Sequence, residues 1–206
     1  HANHVEAARE ITSQLIGGIG YYYGESLVDR RPLNDSGMYL HDMHGAMPKP
    51  EGPHGLLTAT PSRSFFPRGF YWDEGFHLLH IGAWDAELAS MIFGSWTHLM
   101  DKNGWVAREQ ILGEEARSQV PREFQTQYPQ HANPPTLIFG LNSMLDEYHS
   151  RVKEAQEDLE GVNYIQRADL GDMDRMHKKL ESLYPHWKRH YEWFRRTQRG
   201  QIRQWG

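Results

Sequence analysis

Residues 65 to 77 read FFPRGFYWDEGFH, which places six aromatic rings, one arginine and two neighbouring carboxylates in thirteen positions. A core segment has no need of Arg68 or of the Asp73-Glu74 pair, and a surface loop has no need of so many rings. Sugar recognition uses this mixture. Hydroxyls take bidentate carboxylates and guanidinium forks, and the apolar C–H faces take flat aromatic walls. Arg68, Trp72, Asp73 and Glu74 supply these groups among the rings. A structural alternative stands beside this reading, in which Asp73 caps a helix and Arg68 neutralises Glu74.

A second string repeats the mixture. Trp105, Arg108, Glu109, Gln110, Glu114, Glu115 and Arg117 fall within thirteen residues. A solvated, ion-paired loop accounts for most of these charges, and Glu114 with Arg117 reads as a loop-stabilising pair. Trp105 next to Arg108 and Glu109 is harder to explain that way.

Other chemistries find less support. The chain has thirteen histidines. His41 and His44 are three apart, and Asp73 and His77 are four apart, spacings that can share a metal on a helix. No HExxH or EF-hand pattern accompanies them, so no metal is expected. Gly17-Gly18-Ile19-Gly20 lacks the strand context and lysine of a phosphate loop. No GxSxG elbow exists. No cofactor is expected.

These residues need a scaffold. With 206 residues the chain suffices for one domain with a real core. Net charge is −5, and the basic residues are spread along the chain except between Lys188 and Arg203. Phosphate binding needs a concentrated basic face, so nucleic acid is not an expected partner. The absence of cysteine excludes disulfides and thiolate metal sites. No apolar run reaches the ~20 residues of a membrane span. The chain opens at His1, as expected of a piece of a longer polypeptide. Asn34-Asp35-Ser36 matches the N-glycosylation acceptor pattern.

The periodicity predicts helices joined by long loops. Val5, Ala8, Ile11 and Leu15 form a helical stripe that Gly17-Gly18 stops. An irregular stretch from Ile19 to Trp72 follows, in which Tyr21-Tyr22-Tyr23 could be a short strand. Asp73 sits where an N-cap would, ahead of Phe76, Leu79 and Ala83, and Asp85 can cap the next helix. A second loop runs from Asp101 to Asn133, and Pro134-Pro135 opens another helix. Residues 150 to 170 are polar and charged, a solvated extension or inserted loop. Two helices close the chain, one through Met173, Met176, Leu180 and Leu183, the other from Pro185 to Gly200 through Trp187, Tyr191 and Phe194. The fold class is all-α, with function on the loops. The stripes Leu88–Leu99 and Leu137–Tyr148 are expected to be left exposed by 206 residues alone.

Three strings, FFPRGFYWDEGFH, DKNGWVAREQILGEEARSQVP and HANPPT at His131 to Thr136, resemble the processing α-glucosidase I family, glycoside hydrolase family sixty-three. The similarity in spacing runs from about Gly17 to Phe194. Relative to the animal form of the family the 150–170 segment looks like an insertion, which implies a fungal version. The resemblance implies a fold, an (α/α)6 toroid with a few short strands, of which residues 1–206 form the N-terminal portion of the catalytic domain. It implies an inverting exo-glucosidase that removes the terminal α-1,2-linked glucose from the N-glycan precursor on new glycoproteins. It implies the endoplasmic reticulum lumen, a membrane-anchoring segment elsewhere, and the remainder of the enzyme, including a β-rich domain, as partner.

In this family the acid and base lie in later motifs, so the catalytic pair is expected outside this chain. Inversion requires an acid and a base on opposite faces of the sugar. If Asp73 starts a helix, Asp73 and Glu74 diverge by about a hundred degrees and do not straddle one bond. The resemblance instead makes Asp73 and Arg68 the grips for the terminal glucose, with Trp72 and Phe70 as its wall and Glu74 beside them. Trp105, Arg108 and Glu109 would line the same pocket. A rival class is a carbohydrate-binding or structural helical module without catalysis.

Overall fold

The computed structural model describes residues 2–30, 48–157 and 164–199. Asn34, His41 and His44 lie outside the described residues, as do the side chains of Met173 and Met176. Among the described residues six α-helices dominate. They are α1 (Ala2–Gly17), α2 (Tyr71–Trp84), α3 (Ala86–His98), α4 (Gly113–Ser118), α5 (Leu137–Glu157) and α6 (Tyr164–Thr197). None is long and apolar enough to cross a membrane.

The stretch expected to be irregular carries a hairpin instead. β1 (Gly20–Val28) pairs antiparallel with β2 (Lys49–Thr58), and the register shifts at a bulge between Gly24 and Ser26. Tyr21, Tyr22 and Tyr23 lie in β1. Tyr21 and Tyr23 face solvent while Tyr22 packs against the core, the alternation of a half-buried strand. β5 (Thr126–Gln127) adds to β1 in parallel, giving the order β2-β1-β5. A separate ladder joins β3 (Gly69–Phe70) to β4 (Glu109–Gln110). The domain is thus mostly helical rather than purely so.

Helices α2, α3, α5 and α6 enclose one core with β2. Leu56, Leu78, Ile81, Ile92, Phe93, Trp96, Leu137, Met144, Leu183 and Trp187 are buried in it. Its two central indoles find internal acceptors: Trp96 Nε1 donates to Thr58 Oγ1 at 3.1 Å and Trp187 Nε1 to Thr97 Oγ1 at 3.0 Å. Burying an unpaired N–H would cost free energy that these bonds avoid. Helices α2 and α5 touch almost backbone to backbone. A Cβ on Gly75 would sit 2.2 Å from the Thr136 carbonyl carbon, and one on Gly140 would sit 2.7 Å from Leu78 Cβ.

Three expectations are corrected here. First, the stripes on α3 and α5 are not left bare, because α6 and the α2–α5 pairing cover Ile92, Phe93, Trp96, Leu137 and Met144 within this chain. Met91 and Ile138 of those stripes stay exposed, and other exposed apolar groups include Val5, Ile11 and Trp84, and Trp72, Phe76 and Phe139. Second, α6 does not break at Pro185. Leu180, Leu183, Trp187, His190 and Trp193 are all buried, a stripe at helical spacing on both sides of the proline. That burial outweighs the one backbone bond the proline removes. Third, α2 starts at Tyr71, so Asp73 lies inside the first turn and is not its N-cap. Phe70 is the cap residue and makes no side-chain bond. The Tyr71 N–H is instead taken by the Arg108 carbonyl at 2.9 Å.

Other expectations hold. Asp85 caps α3, its carboxylate accepting from Leu88 N–H at 2.9 Å. Gly17-Gly18 ends α1, whereas Pro134-Pro135 stands ahead of the first turn of α5, with Thr136 between it and Leu137. The charged segment is helical to Glu157 and again from Tyr164.

Candidate sugar-binding site

The site is assembled by the β3–β4 ladder. Gly69 faces Gln110 and Phe70 faces Glu109, which joins two strings about forty residues apart. The Tyr71 N–H bond to the Arg108 carbonyl extends the pairing by one step. From the other side Thr136 Oγ1, at the end of the HANPPT string, donates to the Trp72 carbonyl at 2.5 Å. All three strings therefore meet at the first turn of α2. Gln127 steadies the second string by accepting the Glu109 N–H at 3.3 Å.

The two carboxylates of that turn have different surroundings. Asp73 is half-buried and reaches solvent. Burial pushes its carboxyl above the ordinary aspartate value, and the nearby charge of Glu109 pushes the same way while His77 opposes it. Glu74 is 0% exposed. It accepts from Thr58 Oγ1 at 2.9 Å, from Ala59 N–H at 3.2 Å and from His77 Nδ1 at 3.1 Å. Every lone-pair direction that matters is used internally, so the expectation that Glu74 contacts substrate gives way to a structural role. His77 Nδ1 is engaged with Glu74.

Arg68 is 6% exposed and lies between two rings, with its guanidinium 4.7 Å from the Phe70 centroid and 5.5 Å from that of Phe66. Its Nε donates to Glu109 Oε2 at 2.9 Å. Its Nη1 is buried with no partner among the described residues. Arg68 thus fixes Glu109 first; Glu109 is the more open of the pair. Phe70 is half-buried under the guanidinium, whereas Trp72 is 44% exposed with Phe76 edge-on at 6.3 Å. Trp72, Phe76 and Phe65 are among the exposed rings of this stretch.

In the second string Arg108 is exposed, and its charge adds to burial in holding the His131 imidazole below the ordinary histidine value. Trp105 departs from expectation. It is 5% exposed in a cluster with Val28, Ala107 and Trp193, and Arg30 covers its ring at 5.3 Å. It supports the loop and is not a wall for ligand. The expected Glu114–Arg117 pair is absent among the described residues; Arg117 Nη2 donates to the Glu25 carbonyl at 3.0 Å. His131, Thr136 and Gln127 carry no role in the sequence reading, although His131 and Thr136 stand in a quoted string.

Asp73 lies near enough to Glu109 to feel its charge, and Glu109 is held by Arg68, while Trp72 and Arg108 are exposed close by in sequence. Two carboxylates and a guanidinium can take vicinal hydroxyls, and an exposed indole can take a pyranose face. An open groove of about 770 Å³ beside α1 offers no such set. Its lining of Val5, Ala8, Arg9, Thr12, Ser13, Ile16, Gly17 and Trp84 has no carboxylate.

Comparisons with known proteins show the family. The chain is 42% identical over 94% of its length to a probable mannosyl-oligosaccharide glucosidase of Schizosaccharomyces pombe. It is 44% identical over 95% to the mannosyl-oligosaccharide glucosidase of Saccharomyces cerevisiae, and 37% identical over 93% to that of Arabidopsis thaliana. It spans 26%, 24% and 20% of the length of these three relatives. The family model described as the glycosyl hydrolase family 63 C-terminal domain matches residues 1–205, and the chain belongs to that family.

Proposed function

We propose that this chain is the glucose-binding part of an α-glucosidase that trims the terminal α-1,2-linked glucose from the N-glycan precursor on nascent glycoproteins. The observation that carries the reading is the β3–β4 ladder, which brings the Glu109 strand against the start of α2, where half-buried Asp73 feels the Glu109 charge and Trp72 is exposed. Family membership and the names of the relatives support the reaction class.

The hydrolysis proceeds with inversion. An acid protonates the leaving oxygen while a base activates water on the opposite face of the sugar. Asp73 and Glu74 cannot form that pair, since Glu74 is sealed in the core. Acid and base come from the remainder of a longer polypeptide, which closes the helices into an (α/α)6 toroid. In this chain Asp73 and Glu109 hold glucose hydroxyls, Arg108 assists them, and Trp72 stacks on the ring. The setting proposed is the endoplasmic reticulum lumen, with a membrane anchor outside these residues and a glycan on Asn34.

The test compares residues 1–206 with the same residues joined to the remainder of the polypeptide, using release of glucose from an α-1,2-glucosylated oligosaccharide. Release only by the longer polypeptide is expected. Comparable release by residues 1–206 would show that the acid or base has been misplaced.

A further inference from the structure

Asp73 and Glu109 stand on two separate arms of the chain, and both arms are tied to one imidazole on α6. His190 is 3% exposed. Its Nδ1 lies 2.6 Å from the Gly104 carbonyl oxygen, and its Nε2 lies 2.6 Å from the Tyr71 phenol oxygen. A carbonyl only accepts, so Nδ1 carries a proton. Burial holds the imidazole below the ordinary histidine value and so favours the neutral form, which has a single N–H. Nε2 is then bare and accepts from Tyr71, whose phenol burial keeps protonated. The donors run one way, from Tyr71 O–H to Nε2 and from Nδ1–H to Gly104.

The imidazole cannot easily turn. It stacks on Trp193 at 5.8 Å and 8°, and Trp187 and Phe194 pack edge-on against it. What it holds is the site's framework. Tyr71 is the first residue of α2, two before Asp73, and its N–H meets the Arg108 carbonyl. Gly104 closes the turn that leads to Arg108 and Glu109, with Asp101 Oδ1 accepting the Trp105 N–H at 3.0 Å. At φ +91 Gly104 lies so close to α6 that a Cβ would stand 2.4 Å from the Arg189 carbonyl oxygen.

We propose that His190 and Tyr71 are positioning residues, which lock the Asp73 arm and the Glu109 arm in register through a single Nδ1–H tautomer. This rests on the proposed function, since the register matters only if both arms grip one sugar. Sub-ångström placement of such groups affects rate steeply, whereas a bond that merely satisfies the core would affect stability alone.

The test uses the longer polypeptide with Tyr71→Phe, His190→Asn and the two combined. Phe keeps the ring and removes the donor; Asn keeps an N–H for Gly104 but has no atom at the Nε2 position to meet Tyr71. Glucose release from an α-1,2-linked glucosyl disaccharide is followed well below each variant's Tm. Each single variant should lower kcat/KM at least about tenfold, and the double should fall within about twofold of the worse single because both remove the same bond. Nitrogen NMR of His190 should show a protonated Nδ1 and a bare Nε2. Folded single variants within about twofold of wild type, additive losses in the double, or a protonated Nε2 overturn the proposal. If the wild-type polypeptide releases no glucose, the proposed reaction falls, and titration with the same disaccharide replaces the kinetics. Binding weakened about tenfold in the singles then supports the lock; unchanged binding, or none in wild type, overturns it.

Discussion

Two faces of one helical turn can be set against each other. On the open face of α2 stand Trp72, Asp73 and Phe76; on the sealed face stand Tyr71, Glu74 and Leu78. Asp73 and Glu74 have nearly the same chemistry and are neighbours in sequence. One step along a helix turns a side chain by about a hundred degrees, and here that carries one carboxylate to solvent and the other beneath β2. Asp73 has burial working against its charge. Glu74 has three internal donors aimed at its charge. The residue free to bind a ligand is the one whose folded environment serves it less well, and the residue with satisfied bonds serves the fold.

Breaking the sealed face should have the largest effect. Glu74→Ala removes three hydrogen bonds and strands the buried Ala59 N–H, while the Thr58 hydroxyl keeps the Ala59 carbonyl as acceptor at 2.9 Å. A loss of at least about 3 kcal/mol is expected in denaturant unfolding, a large share of a typical domain's stability. Breaking the open face should leave the fold intact and remove activity. Asp73→Asn in the longer polypeptide should lose at least about 2 kcal/mol in kcat/KM on an α-1,2-glucosyl substrate, and near-normal kinetics would remove Asp73 from the site.

Arg68→Lys lies between the faces. Lysine cannot both stack between Phe66 and Phe70 and hold Glu109, so unfolding should shift by about 1 to 2 kcal/mol. A larger KM should accompany it as Glu109 loosens. The smallest effect is a pH dependence. The folded state holds the Asp73 proton more tightly than the unfolded chain, whose value is near 3.8. Stability from this group is therefore present at low pH and is lost as pH rises through the raised folded value. Asp73→Asn should remove that slope and be at least as stable as wild type near neutrality, read from urea midpoints across the acid range.

Local signals were legible where one residue decides. Asp85 caps α3 as its position suggests, and the glycines after Leu15 stop α1. Signals failed where tertiary packing decides. Pro185 reads as a helix start, but the buried stripe from Leu180 to Trp193 runs through it. Trp105 reads as a sugar wall beside Arg108 and Glu109, but Arg30 and Trp193 enclose it, and neither contact has a trace in its own string. The nearness of Asp73 to Glu109 was expected only through family resemblance, because a two-residue ladder leaves no periodicity to read. Glu74 could not be separated from Asp73, because two of the donors that claim it, Thr58 and Ala59, come from the end of β2 and the residue after it.

The most direct measurement is a structure of the longer polypeptide with an α-1,2-linked glucosyl disaccharide bound. Asp73 should lie within about 3.2 Å of a hydroxyl of the terminal glucose, with Trp72 against the ring and Glu74 still bonded to Thr58 and Ala59. A sugar seated away from Asp73, or Glu74 turned out of the core to meet it, would contradict the division between the open and sealed faces of α2.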